Sequence, residues 1–198
     1  GVDVVVEGGQ TMNPSTEDIL NAVEHLNAET IYILPNNKNI ILAAEQAAKI
    51  VEDKKVVVIP TKTIPQGITA MISLSEDRSA EENLENANEE ISNVKSAQIT
   101  YAVRNTTIDD VEIHENDVMA LGDSGIIGVD KSIDSAVDKA LSNMIDDSSE
   151  LVCLYYGEEV SEEDATKLCD ELVGKYENVE FELHFGGQPV YYYFISVE

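Results

Sequence analysis

Apolar positions change their spacing several times along this chain, and the changes divide it into elements. Val2–Val6 is an apolar run interrupted only by Asp3, and it reads as a strand. It leads into Gly8-Gly9-Gln10-Thr11-Met12-Asn13-Pro14, a turn that opens a helix near Ser15, with Asp18 three residues on at capping-box-like spacing. Ile19, Leu20, Val23 and Leu26 then recur at helical period. Ile31–Leu34 is the next short strand. Pro35-Asn36-Asn37 breaks it, and Ile40, Ile41, Ala44, Ala47, Ala48 and Val51 give a second amphipathic helix. Val56–Ile59 is uniformly apolar, as strands buried on both faces are. This β-α-β-α-β order implies a parallel sheet, because short strands joined through helices pair that way.

Residues 61–74 read as a loop and a short helix containing Met71 and Ile72. From Glu76 to Val94 the chain is polar and acidic, with Leu84, Ala87 and Ile91 as a thin apolar seam. This predicts a helix that carries the chain to a second subdomain, with Ser75–Ala80 as the hinge. Beyond it Ala97–Arg104 alternates as a strand, and Thr107–Ile113 and Asp117–Leu121 read as short strands around polar turns. Gly122-Asp123-Ser124-Gly125 then turns the chain into Ile126–Val129. Ile133, Ala136, Val137, Ala140, Leu141 and Met144 mark a helix, and Leu151–Tyr156 a strand. Ser161-Glu162-Glu163-Asp164 caps a helix carrying Ala165, Leu168, Cys169, Leu172, Val173 and Tyr176. Val179–Phe185 and Val190–Val197 close the series as strands around Gly186-Gly187-Gln188-Pro189. The expected fold class is α/β, in two α/β subdomains over residues 1–94 and 95–198. The first has a parallel sheet and the second a mixed one.

Charge changes this picture. The formal net charge is −27, and it is lopsided: residues 1–104 carry 16 acids and 8 bases, residues 105–198 carry 23 acids and 4 bases. No Lys or Arg interrupts the acids Asp109, Asp110, Glu112, Glu115, Asp117, Asp123 and Asp130, nor the later run that holds Glu158, Glu159, Glu162, Glu163 and Asp164. Nucleic acid and anionic membrane are excluded as partners, since the first term in either encounter is repulsion. Solubility accounts for acid in many proteins. A field this one-sided also predicts a basic partner. No apolar run approaches the roughly 18 residues of a membrane span, and the opening residues lack the basic start of a signal peptide. The expected location is the cytoplasm.

Candidate chemistry is sparse. Gly8-Gly9-Gln10 lies between a strand and a helix start, but it is neither G-x-G-x-x-G nor a Walker loop. Thr11, Asn13, Ser15 and Thr16 could form a hydroxyl- and amide-rich pocket for a carboxylate, against the simpler reading of a turn and cap. Lys62 lies just past a strand's C-terminal end, where open α/β sheets place ligands. His25, His114 and His184 are scattered, and only His184, followed by a rigid glycine-rich turn, has company that suggests a ligand. Cys153 and Cys169 have no Cys or His at metal-ligand spacing and read as small buried hydrophobes. The acid pairs Asp109-Asp110 and Asp146-Asp147 show no calcium-loop pattern and read as solvated surface. The residues alone describe an acidic α/β protein with no catalytic centre and no metal site.

Several segments nevertheless resemble a known family. Glu7-Gly-Gly-Gln-Thr-Met-Asn-Pro-Ser-Thr-Glu-Asp18, Leu34-Pro-Asn-Asn-Lys-Asn39, Pro60-Thr-Lys-Thr-Ile-Pro-Gln-Gly67, Ile99-Thr-Tyr-Ala-Val-Arg104 and Gly187-Gln-Pro-Val-Tyr-Tyr-Tyr193 look like the C-terminal region of DAK2-domain proteins of the fatty acid kinase A type. The resemblance implies a parent kinase that phosphorylates fatty acid held by a separate DegV-type binding protein, giving acyl phosphate for phospholipid synthesis. ATP and magnesium would bind an N-terminal kinase domain, and a central domain would carry a Cys and His residues. No catalytic role passes to this chain, which is expected to need no cofactor and not to be an enzyme by itself. Thr11-Met-Asn-Pro-Ser15 and His184-Phe-Gly-Gly-Gln-Pro189 are also similar to ligand-binding segments of the DegV family, which implies a DegV-like fold. The expectation is a docking module. Its acidic residues Asp109, Asp110, Glu112, Glu115, Asp117, Glu158, Glu159, Glu162 and Glu163 would meet the basic face of the DegV-type protein. It would work beside the kinase and central domains of the same polypeptide. The alternative is a module that itself holds an acyl chain or small carboxylate through Thr11, Asn13, Ser15, Lys62 and His184.

Overall fold

A computed structural model describes residues 1–8, 12–108, 110–123 and 125–198, which form two compact units, Gly1–Asn93 and Val94–Glu198. In the first unit the strands β1 (Thr30–Ile33) and β2 (Lys55–Val58) pair in parallel, Ile31 opposite Val56 and Ile33 opposite Val58. Side chains alternate across this small sheet, so its two faces need separate cover. Ile31, Ile33, Val56 and Val58 pack with Ile19 and Val23 of α1 (Thr16–Glu24) and Ala44 and Ala47 of α2 (Ile41–Ile50). Tyr32, Leu34 and Ile59 pack on the other face with Ala70 of α3 (Ile64–Ser73) and Leu84, Ala87 and Ile91 of α4 (Ala80–Asn93).

Local chemistry sets these boundaries. Ser15 caps α1 in a full capping box with Asp18. Thr63 caps α3 and Pro65 stands in its first turn, where a missing N–H costs nothing. The loop and short helix expected over 61–74 thus contain a ten-residue helix. Ser79 and Glu82 exchange backbone-to-side-chain bonds of 2.8 and 3.2 Å at the start of α4. Two expectations fail. Val2–Val6 joins no strand ladder among the described residues, and Val5 is 72% exposed. An apolar run reports fit to a half-buried pleated surface, and here no neighbouring strand supplies one. Ser75–Ala80, expected as the hinge, lies inside the first unit. Buried Asn83 pins it there by accepting from the Ser75 N–H and donating to the Ser75 carbonyl.

The second unit is a six-stranded mixed sheet in the order β7-β6-β3-β10-β8-β9. Its strands are β3 (Lys95–Tyr101), β6 (Val118–Gly122), β7 (Gly125–Asp130), β8 (Leu151–Tyr156), β9 (Glu180–Phe185) and β10 (Tyr193–Val197). The pairings are antiparallel except β8 with β9, which are parallel across the helical crossover α6 (Glu162–Lys175). Thr107–Ile113, expected as one strand, is the hairpin β4 (Thr106–Ile108) and β5 (Val111–Ile113), with Asp110 at φ 63° in its turn. Asp tolerates that left-handed conformation better than most residues do. The core lies on one face, where Ile99, Ala120, Leu154 and Ile195 meet α6 and α5 (Ile133–Met144) through Val137, Leu141, Leu168 and Leu172.

Candidate functional site

The register of β10 decides which loops share an end of the sheet. Tyr193 stands opposite Ile99 of β3 on one side and Tyr156 of β8 on the other, and both pairings are antiparallel. Strands β3 and β8 therefore run the same way, two strand spacings apart, which is about 10 Å. The β4–β5 hairpin leaves the end of β3, and the loop 157–161 with the start of α6 leaves the same end of β8. Two acidic stretches more than 40 residues apart in sequence are brought together there. Asp110, Glu112 and Glu115 are exposed on one side, Glu158, Glu159, Glu162 and Glu163 on the other. Part of this acid has a local role, because Glu162 and Glu163 occupy the first turn of α6 and complement its N-terminal dipole.

Between the acids runs an aromatic rim, where the apolar pattern predicts a continuous strand from Val190 to Val197. Tyr191 and Tyr192 precede β10 instead of lying in it, since Val190 has φ 70° and breaks the extended backbone. The Val190 carbonyl accepts from the Thr100 hydroxyl at 3.0 Å, which holds that turn. Tyr192 lies 6.0 Å from the Tyr101 ring, and burial with the nearby Glu159 carboxylate pushes its phenol upward. Phe185 is 68% exposed at the end of β9. The Gly157 and Glu158 N–H groups donate to the Tyr192 and Gln188 carbonyls, tying the acidic loop to the aromatic one.

Asp117 leaves the contact set. It is buried, forms an ion pair with Lys131 and accepts from the His114 N–H at 2.9 Å, so its charge is spent inside the fold. Its carboxyl is held below the ordinary value of 3.8, first by Lys131 and then by that N–H. This contribution is complete above the ordinary value and fades as pH falls through the depressed one. Asp117→Asn is therefore expected to lower the melting temperature at neutral pH and to flatten its fall below about pH 4, as read by thermal unfolding under circular dichroism. Asp109 and Thr11 lie outside the described residues.

The remaining expected ligand residues are divided between the units, Asn13, Ser15 and Lys62 in the first and His184 in the second. Asn13 and Ser15 are exposed, and the Ser15 hydroxyl donates to Asp18 at 2.7 Å within its own capping box. Lys62 is exposed in the loop between β2 and α3, where its N–H donates to Gln66 at 2.8 Å. Beside it in sequence, the buried Thr61 hydroxyl donates to Asn36 at 2.8 Å, joining the loops at the carboxyl ends of β1 and β2. His184 belongs to β9 in the second unit, beside Glu182. The acid pair at 146–147 holds no spare carboxylate at Asp146, which is paired with Lys95 and bonded to Ser148.

The family of FakA-like C-terminal regions of fatty acid kinase matches residues 1–198. The Bacillus subtilis protein YloV is 49% identical over the whole chain, and a Staphylococcus epidermidis protein is 42% identical. The chain spans 36% of the length of each. Among solved structures, the Streptococcus pneumoniae fatty acid kinase B3 protein loaded with linoleic acid superposes with a TM-score of 0.65 at 13% identity, covering 93% of this chain and 76% of that one. A DegV lipid-binding protein from Thermotoga maritima gives 0.63 at 15%, covering 94% and 76%. The dihydroxyacetone kinase of C. freundii gives 0.61 at 15%, covering 94% of this chain and 41% of that one. These likenesses show a DegV-like fold.

Proposed function

This chain belongs to the FakA-like C-terminal family of fatty acid kinases, and from that membership we propose that it is the docking module for a DegV-type fatty-acid-binding protein. The convergence of the two acidic stretches at one end of the second unit's sheet supports this reading most directly. Exposed carboxylates there outnumber the cations Arg104 and Lys131 and make a predominantly negative field that steers a basic surface into place, and the aromatic rim supplies contact area once the partner is seated. In this reading the module is not itself catalytic. ATP and magnesium are handled by other parts of the longer polypeptide, acyl phosphate is the product, and the work takes place in the cytoplasm. No described helix is long and apolar enough to cross a membrane.

The test is sedimentation of this chain with a purified DegV-type fatty-acid-binding protein at two salt concentrations. A complex is expected at 0.05 M salt, weakening steeply towards 1 M as the screening length shrinks from more than about 10 Å to about 3 Å. Absence of a complex at low salt would sink the proposal. The shared fold favours a second reading, in which the chain holds an acyl chain itself. Fatty acid extracted from the purified chain in stoichiometric amount would favour that reading.

A further inference from the structure

Docking leaves one group of side chains unused. On the sheet face away from α5 and α6, Cys153 of β8 stands opposite Glu182 of the parallel strand β9, and His184 stands two residues later on the same face. The Cys153 sulfur lies 3.9 Å from Glu182 Oε2, and His184 Nε2 lies 3.0 Å from that same oxygen. The three ligand atoms are all within 4.8 Å of one another. We propose that Cys153, Glu182 and His184 form a binding site for a thiophilic divalent cation of the zinc type, through one sulfur, one carboxylate oxygen and one imidazole nitrogen.

The dimensions suit such an ion. Zinc bonds of about 2.0 to 2.3 Å in tetrahedral array place neighbouring ligand atoms about 3.3 to 3.7 Å apart. The sulfur and nitrogen flank the Glu182 oxygen at distances either side of that range, so closing on a cation needs rotamer adjustments and no backbone movement. The donor set is selective, because thiolate with imidazole favours zinc or cobalt over magnesium and calcium, which want oxygen alone. Access is open: Glu182 and His184 side chains are about half exposed on edge strand β9, while Cys153 is buried behind them. The Tyr155 ring stacks on the His184 ring at 5.2 Å and 25°, limiting the orientations the imidazole can take. Supporting contacts of this kind hold ligands in position. A water completes the fourth position, as at other three-ligand zinc sites.

Binding balances simply. The Cys153 S–H bond breaks, its proton goes to solvent, and the sulfur lone pair forms the metal bond. His184 presents the Nε2 lone pair, with its ring proton on Nδ1. Sequence spacing hid the site because Cys153 and His184 are far apart along the chain and meet only through the β8–β9 register.

The experiment is titration of the chain with cobalt(II) alone, followed by absorbance, then competition with zinc. A thiolate-to-cobalt charge-transfer band and visible bands of tetrahedral intensity are expected at one equivalent, and zinc should bleach them. Cys169→Ser should leave the bands intact and Cys153→Ser should remove the charge-transfer band. Because Cys153 is buried, Glu182→Gln and His184→Ala at exposed positions provide the second arm. Each is expected to weaken cobalt affinity by at least about tenfold while the circular dichroism spectrum stays unchanged. No charge-transfer band, a band that survives Cys153→Ser, or unchanged affinity in both exposed variants would overturn the assignment.

Discussion

Gly157→Ala is expected to destabilise the second unit by about 3 kcal/mol and to displace the loop that carries the aromatic rim. A Cβ built at Gly157 lands on the Tyr191 carbonyl oxygen and 2.6 Å from that of Gln188. Both obstacles are backbone, so no rotamer change relieves them. The loop must move away from the end of β8, and the bonds from the Gly157 and Glu158 N–H groups to Tyr192 and Gln188 are strained together. The Gln188 side chain, which donates to the Tyr155 carbonyl at 2.8 Å, resists the movement. Gly174, also outside the left-handed region but with open space where its Cβ would stand, is the control. Gly174→Ala, on α6, is expected to gain up to about 1 kcal/mol through helix propensity. Urea unfolding of both variants measures the contrast, and equal stabilities would refute the packing argument.

Reversing Glu158, Glu159, Glu162 and Glu163 to lysine is expected to cut affinity for a DegV-type fatty-acid-binding protein by about 100-fold at low salt, mainly through slower association. All four are exposed, so the fold should survive, with a modest loss in α6 where Glu162 and Glu163 no longer complement the helix dipole. The matched control reverses Glu24, Glu45, Glu52 and Asp53, exposed acids of the first unit. It changes net charge equally but leaves the acidic end of the second sheet untouched. If docking is local, the control should lose only a few-fold, and stopped-flow association rates would show the difference. Equal losses in the two sets would mean that bulk charge alone attracts the partner and would remove the proposed surface.

Helices are the most legible part of this chain, because each announces itself within a few residues. The Ser15–Asp18 box, the Ser161 cap and the apolar spacing from Ile133 to Met144 all appear where their local chemistry requires. Strands are harder where pairing, a long-range property, decides the outcome. Val2–Val6 has the composition of a strand without a ladder partner among the described residues. Residues 107–113 read as one short strand, yet the stretch folds as a hairpin because Asp110, second of two adjacent acids that interrupt the alternation, takes a left-handed turn. The acidic bias is visible as composition, but its placement is not. Only the register around β10 shows that the two acidic stretches leave from one end. Asp117 reads like its neighbours in sequence, and burial beside Lys131 is what sets it apart.

The position of β10 also bears on how the chain is made. It is the last strand of its sheet in sequence and a central one in space, buried along its whole length. As the polypeptide leaves the ribosome, the β3-β6-β7 meander and the β8-α6-β9 crossover emerge first, as two fragments with no ladder between them. Each exposes an unsatisfied edge until residues 193–197 arrive to fill the gap. Closure of the second unit therefore waits for the last of its strands to be made, and the nascent chain depends on whatever shields those edges in the interval.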